Sequence, residues 1–422
     1  MSLTLRQYPS VEGKKIHQMI YPDYYTTTST LYTNSDFKYN FKLYTVDGEI
    51  SNTKNPPYIT NGVGVYDPNL YLKNILGNNF NPEGDLYKPC TDSIIQYRVD
   101  VEEFSSTISS PDDRSYIKVC ALNSSQEDFD YTDYVLDGDG KFMTKWSTQR
   151  KVSLTGEDGM LRFLSGIMSS GSVIISKVYH FYLEVHRGSY VFQYSCDDVN
   201  PYYVETTDVG MDSDNSVIEN VENYLLEFPC LPEKLNELDW SFIGTVPSGG
   251  LSDSIILKEG DVYSLQTLDV SDNITSSKIW FEIKSPCPES NPVQIQWENE
   301  LGSYDFFTFK KVSTKSHKIE KTNYRKVRDS LVSDFMFHDE NDRGETILHN
   351  NISTYWTINS DWLDKEEVLD LESLWYSKDI YAQIDGDFYP IVSMIDSVVI
   401  NTNKRGLRQY VFSFVLSNKK YN

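Results

Sequence analysis

Four hundred and twenty-two residues allow two or three domains and a sizeable hydrophobic core. Thirty-eight Lys and Arg against 62 Asp and Glu give a net charge of −24, which repels phosphate backbones and argues against nucleic-acid binding. Aromatics reach 14%, with 31 Tyr and 20 Phe, while alanine occurs only as Ala121 and Ala382, so a helix bundle is excluded and a β protein expected.

Residues 1–35 are polar and Tyr/Thr-rich, and read as an extended N-terminal arm or an irregular first strand. From Asp36 the pattern alternates. Phe37, Tyr39, Phe41 and Leu43 form one apolar face of a strand, and Asp47-Gly48 supplies a tight hairpin turn. Asp67 and Pro68 open a short helix with Leu70, Ile75 and Leu76 facing inward. A further strand alternates through Ile95, Tyr97, Val99 and Val101, and others are expected at Ser115–Ala121, Ser172–Glu184 and Ser189–Tyr194.

An acidic stretch at Met211–Asn215 precedes a helix expected over Val217–Leu225. Pro229, Pro232, Pro247 and Gly249-Gly250 then punctuate the chain, placing a domain boundary near 245. The second half opens with strands at Ser254–Leu257, Lys278–Lys284 and Val293–Trp297. Its best helix is Asp364–Trp375, where Asp364 and Glu367 have capping-box spacing and Val368, Leu371, Leu374 and Trp375 form an apolar stripe. Ile380–Ile384, the Asp385-Gly386 turn, Phe388–Met394, Ser397–Asn401 and Gln409–Leu416 complete a strand-and-turn series. The expected fold is mostly β: two or more antiparallel β-sandwich or barrel-like domains with a few short helices. The division is 36–245 for the first β domain, with 110–215 as a possible insertion, and 246–422 for the second.

Nucleotide-binding, zincin and nucleophile-elbow motifs are absent from the sequence. The odd set Cys90, Cys120, Cys196, Cys230 and Cys287, without a CxxC pair, reads as small buried hydrophobes rather than disulfides or a zinc ribbon. His180 and His186 lie on one expected hairpin with no third ligand, and Asp137-Gly-Asp-Gly140 reads as a β-turn rather than a calcium loop. No catalytic, metal or cofactor residues are therefore assigned. Met1–Pro9 has no apolar run, so no secretory leader is expected, and no stretch of the sequence approaches the roughly 18 apolar residues of a membrane span. Tyr202, Tyr203 and the tryptophans suit core, subunit interface or sugar stacking.

Residues 310–328 depart from the acidic background: Lys310, Lys311, Lys315, Lys318, Lys321, Arg325, Lys326 and Arg328 meet a single acid, Glu320. The stretch suits either a lysine-guarded solvated strand pair or electrostatic docking onto another copy or another acidic protein, with DNA contact a minor third option.

Just before it runs Pro292-Val-Gln-Ile-Gln-Trp-Glu-Asn-Glu-Leu-Gly-Ser-Tyr-Asp-Phe-Phe-Thr-Phe309. Val293, Ile295 and Trp297 make one strand, Asn299 and Gly302 a turn whose amides Asp305 can bond, and Phe307 and Phe309 the returning strand. This hairpin, followed by a Lys-rich strand and Tyr324, resembles a segment of virion proteins of tailed bacteriophages, notably crAss-like phages and relatives. Asn40–Val46, Gly64–Asn69, Leu371–Ile395 and Tyr410–Asn418 resemble other parts of those proteins in the same order. Glu298 and Glu300 depart from that pattern, and residues 110–215 match nothing in it. The resemblance implies a non-enzymatic structural subunit, made in a bacterial cytoplasm and assembled as a homo-oligomeric ring in the virion neck or tail. It would connect portal-side, hub or fibre proteins, without cofactor, membrane or direct nucleic-acid contact. The alternative is a carbohydrate- or receptor-binding β-sandwich module, with or without glycosidase activity.

Overall fold

The computed structural model describes residues 3–7, 16–18, 24–58, 61–77, 80, 86–90, 92–107, 109, 111–116, 119–124, 131–136, 138–168, 174–176, 178–202, 225–243, 257–285, 292–325, 329–332, 335–338, 345–394 and 407–417. They form a mostly β protein of several largely antiparallel sheets with a few short helices. The chain divides into two compact units, residues 1–285 with 298–305, and residues 286–297 with 306–422.

In the first unit, Leu3–Gln7, Tyr25–Ser29 and Val63–Tyr66 form a three-stranded sheet in that order. A second sheet runs Ile16–Gln18, Val119–Leu122, Ile94–Phe104, Lys38–Thr45, Gly48–Asn55. The two sheets share one core. Leu3, Tyr25 and Tyr66 pack with Tyr39, Phe41, Leu43, Tyr97, Val99 and Val101, the alternating residues of both expected strands. Three of the buried tyrosines in this core are tied by hydrogen bonds: Tyr25 donates to the Tyr97 hydroxyl at 2.8 Å and Tyr39 to the Gly62 carbonyl at 2.6 Å. Gly48, at φ +116°, turns the first hairpin.

Beyond these, the described residues of this unit form a six-stranded sheet, a three-stranded sheet and the two-stranded pair Gly166–Met168 with Ile174–Ser176. The larger is ordered Arg150–Val152, Ile279–Ile283, Val262–Leu268, His180–Arg187, Tyr190–Cys196, Trp240–Phe242. The smaller comprises Met160–Leu164, Leu225–Pro229 and Lys88–Pro89.

Three expectations of organisation change. Leu3–Gln7 and Tyr25–Ser29 are paired strands with Tyr25 fully buried, so the start of the chain is part of a sheet rather than only an arm. His180–Arg187 pairs along its length with Val262–Leu268, so this part of 110–215 shares a sheet with residues well beyond the range rather than standing apart as an insertion. The same pairing carries the division to Ser285, past 245, because sheet hydrogen bonds outweigh the Pro/Gly punctuation between the partners. A smaller correction concerns Asn69–Leu72, the helix after Pro68. Leu72 and Leu76 face inward while Leu70 (72% exposed) and Ile75 (37%) face outward, because residues four apart share a helix face.

The second unit holds a seven-stranded sheet. Its order is Tyr304–Phe309, Val293–Glu298, Ile380–Ile384, Asp387–Ser393, Arg408–Leu416, Glu345–Leu363, Thr314–Arg325. Asp364 caps Lys365–Asp370 by accepting from the amides of Glu366 and Glu367 at 2.9 Å, and Glu367 accepts from the Asp364 amide at 2.9 Å. The expected helix is interrupted at Leu371 and resumes as Glu372–Tyr376. Asp385 and Gly386 both take positive φ, as a tight hairpin between right-twisted strands requires. The expected helix residues 217–224, strand residues 254–256, the strand at 397–401, Asp137, Tyr203, Cys287, Lys326 and Arg328 lie outside the described residues.

Candidate functional site

The hairpin that carries the resemblance is built into the interior. In the first unit, Asn299 accepts at Oδ1 from the amides of Leu301 (2.9 Å) and Ser303 (3.1 Å), closing the turn itself. The turn role expected of Asp305 therefore falls to Asn299. Asp305, fully buried, receives Arg150 Nη2 at 2.8 Å, Asn299 Nδ2 at 2.8 Å, the Lys145 amide at 3.2 Å and the Thr144 hydroxyl. Arg150 also lies over the Trp146 ring, 4.8 Å from its centre.

Gly302 sits at φ +80°, where a Cβ would overlap the Asn123 carbonyl, and its own carbonyl accepts from Arg162 Nη1. Arg162 in turn donates to Glu227 Oε1 from Nε (2.9 Å) and Nη2 (2.6 Å). Leu301 fills an apolar cluster with Cys90, Ile94, Cys120, Leu122, Met143, Leu164 and Leu225. Glu300, one of the departing acids, pairs at the surface with Lys145 at 3.0 Å.

In the second unit Trp297 is fully buried and donates its indole N–H to the Ser373 hydroxyl at 2.8 Å. Phe309 is buried and stacks on Phe412, with half-buried Phe307 edge-on to it. The hairpin residues are thus packing and hydrogen-bonding anchors. Of Trp297, Asn299, Gly302, Asp305, Phe307 and Phe309, only Phe307, half-buried, is open to a surface partner.

Sequence reasoning missed Arg150, Arg162 and Glu227. Two of them carried a readable signal. Arg162 lies in the apolar run Met160–Leu164 and Glu227 in Leu225–Pro229, and the two strands pair with these residues directly opposite. Opposite charges at matching points of two apolar strands mark a buried ion pair.

The cationic stretch differs in kind. Thr314–Arg325 is exposed at all twelve positions and ends the sheet order. It pairs with Glu345–Leu363 from Thr314↔Thr357 to Arg325↔Glu345, whereas Arg408–Leu416 reaches that partner only from Tyr355 to Leu363. Beyond Tyr355 the pair continues as a two-stranded ribbon. At about 3.4 Å per residue the edge strand is roughly 40 Å long. Four large apolar side chains on the ribbon are exposed, Ile319, Tyr324, Ile347 and Leu348.

Its cations are not equivalent. Lys310 is only 7% exposed and is removed from the set of surface contacts, since the preceding strand carries it inside. Lys311 pairs with Asp361 at 3.3 Å, Lys315 lies 4.9 Å over the Trp356 ring, and Lys318 pairs with Glu320 at 2.8 Å. Lys321 and Arg325 stand exposed on the outer half.

Other candidates disperse. His180 and His186 occupy one strand six residues apart, about 20 Å, too far to share a metal ion. His186 bonds Glu184 at 2.8 Å, and burial lowers the His180 pKa. Among the described residues no three His, Cys, Asp or Glu side chains gather as a metal site. Of the seven tryptophans only Trp362 is exposed, so they form no row of open stacking rings. Cys90, Cys120, Cys196 and Cys230 are all buried. No helix among the described residues is long and apolar enough to cross a membrane. No family model matches the sequence, and no curated protein matches it.

Proposed function

We propose that this chain is a non-enzymatic structural subunit of a tailed-phage virion, assembling as an oligomeric ring in the neck or tail and joining portal-side, hub or fibre proteins. Two supports are independent. The sequence resemblance supplies the phage setting, and the ribbon Thr314–Arg325/Glu345–Leu363 supplies the reason to expect assembly.

The ribbon carries the reading. A long edge strand with an open row of backbone donors and acceptors is a template for pairing, and proteins that stay monomeric shorten, twist or cover such edges. Lysines alone would keep this edge soluble. Four exposed large apolar side chains on the same ribbon do not serve solubility, but they fit a surface that a partner covers.

Purified chain should give a discrete oligomer by size exclusion with light scattering, and mass spectrometry of purified virions should find it at a copy number set by ring symmetry. A chain that is monomeric at every concentration and missing from virions refutes the reading.

A further inference from the structure

We infer that the outer half of the cationic edge strand, through Lys321 and Arg325, docks head-to-tail on an acidic surface of a second copy of this chain, so that the contact is heterologous. The inference rests on the reading of the chain as an assembly subunit and specifies the geometry of that assembly.

Charge decides against the simplest alternative, pairing of two equivalent edges about a two-fold axis. Thr314–Arg325 contains Lys315, Lys318, Lys321 and Arg325 against Glu320, a net +3. Its one acid is already held by Lys318 at 2.8 Å. Apposing two copies would set +3 against +3 along a contact of roughly 40 Å, and like charges facing across a ladder destabilise it.

Charge also selects the partner. Residues 310–328 carry eight cations and one acid, +7 of a total of −24, which leaves −31 on the remainder of the chain. The body of a second copy is therefore the complementary surface that every assembly of this protein contains. A contact between two different patches of one chain closes into a ring when its rotation permits, which an isologous contact cannot do by itself.

The distribution of contacts locates the docking residues. At the root of the ribbon, Lys311 and Lys315 are engaged within the chain by Asp361 and Trp356. The outer half instead offers Lys321 and Arg325 together with exposed Ile319, Tyr324, Ile347 and Leu348, a combination of steering charge and area to bury.

The test compares two double reversals of charge in the full-length chain. Lys321→Glu/Arg325→Glu should weaken the oligomer at least about tenfold at low salt, with far-UV circular dichroism and the unfolding midpoint unchanged. Lys311→Glu/Lys315→Glu at the root should change it less than about threefold, since those cations already have partners within the chain. In a mixture of isotopically light and heavy chains, zero-length carbodiimide coupling should yield intermolecular links from Lys321 to an Asp or Glu outside residues 310–328. An oligomer indifferent to reversal of Lys321 and Arg325 overturns the inference while leaving the ring reading intact. A disulfide joining two copies of Ile319→Cys establishes two-fold edge pairing and overturns it too. Duplex DNA retained by the ribbon while copies stay apart counts against it in the same way, and a chain monomeric throughout overturns both proposals.

Discussion

Removing the charge of Asp305 tests whether the resemblance-bearing hairpin is an interior anchor. Asp305 is fully buried and the side chain of its partner Arg150 is 2% exposed. Asp305→Asn keeps the shape but leaves the Arg150 guanidinium without its carboxylate in a dry site, while Thr144, Lys145 and Asn299 lose a charged acceptor. Breaking one side of a buried pair costs about 3–5 kcal/mol. For a unit of this size each kcal/mol lowers the transition by about 2–4 °C, so the expected shift is roughly 6–20 °C.

Scanning calorimetry on Asp305→Asn, Arg150→Met and the double variant closes a double-mutant cycle. Because Arg150→Met removes the orphaned charge, the double variant should lose at least about 1.5 kcal/mol less than the two singles together. A shift below about 2 °C for Asp305→Asn, or strict additivity, would refute the assignment of Asp305 as an anchor.

Three further outcomes follow from the same geometry. Gly302→Ala forces a left-handed φ and a clash with the Asn123 carbonyl, and should cost at least about 2 kcal/mol in urea unfolding; a neutral variant would show that the turn relaxes freely. Asp364→Ala removes the cap on Lys365–Asp370 at a cost of about 1 kcal/mol, read as roughly fivefold faster hydrogen exchange at the Glu366 and Glu367 amides, and unchanged exchange would count against the cap. Burial pushes the Cys196 and Cys230 thiols up to about 12, so at pH 8 they should alkylate about a thousandfold more slowly folded than in urea, and ready labelling of the folded chain would contradict their burial.

Much of the fold was legible because one-sided burial writes itself into alternation. Phe37, Tyr39, Phe41 and Leu43 announced a strand and its inner face, Asp364 with Glu367 announced a capped helix, and Asp385-Gly386 announced a hairpin. These signals are local: period, cap and turn involve residues within a few positions of one another. The roles of Asn299, Gly302 and Asp305 were not legible in the same way. Their partners Met143, Arg162 and Arg150 lie 140–156 residues away in sequence, and hydrogen-bonding capacity in a turn does not say which distant groups will fill it.

The cationic stretch shows the division most clearly. Sequence alone established that a chain of net −24 concentrates eight cations between residues 310 and 328, because charge is a property of composition. Only the tertiary structure decided that Lys310 is inside, that Lys311, Lys315 and Lys318 are engaged locally, and that Lys321 and Arg325 ride outward on an edge strand. Burial and pairing arise from contacts between elements distant along the chain, so one kind of side chain becomes core, pair or surface at Lys310, Lys311 and Lys321 according to which strands the fold lays beside it.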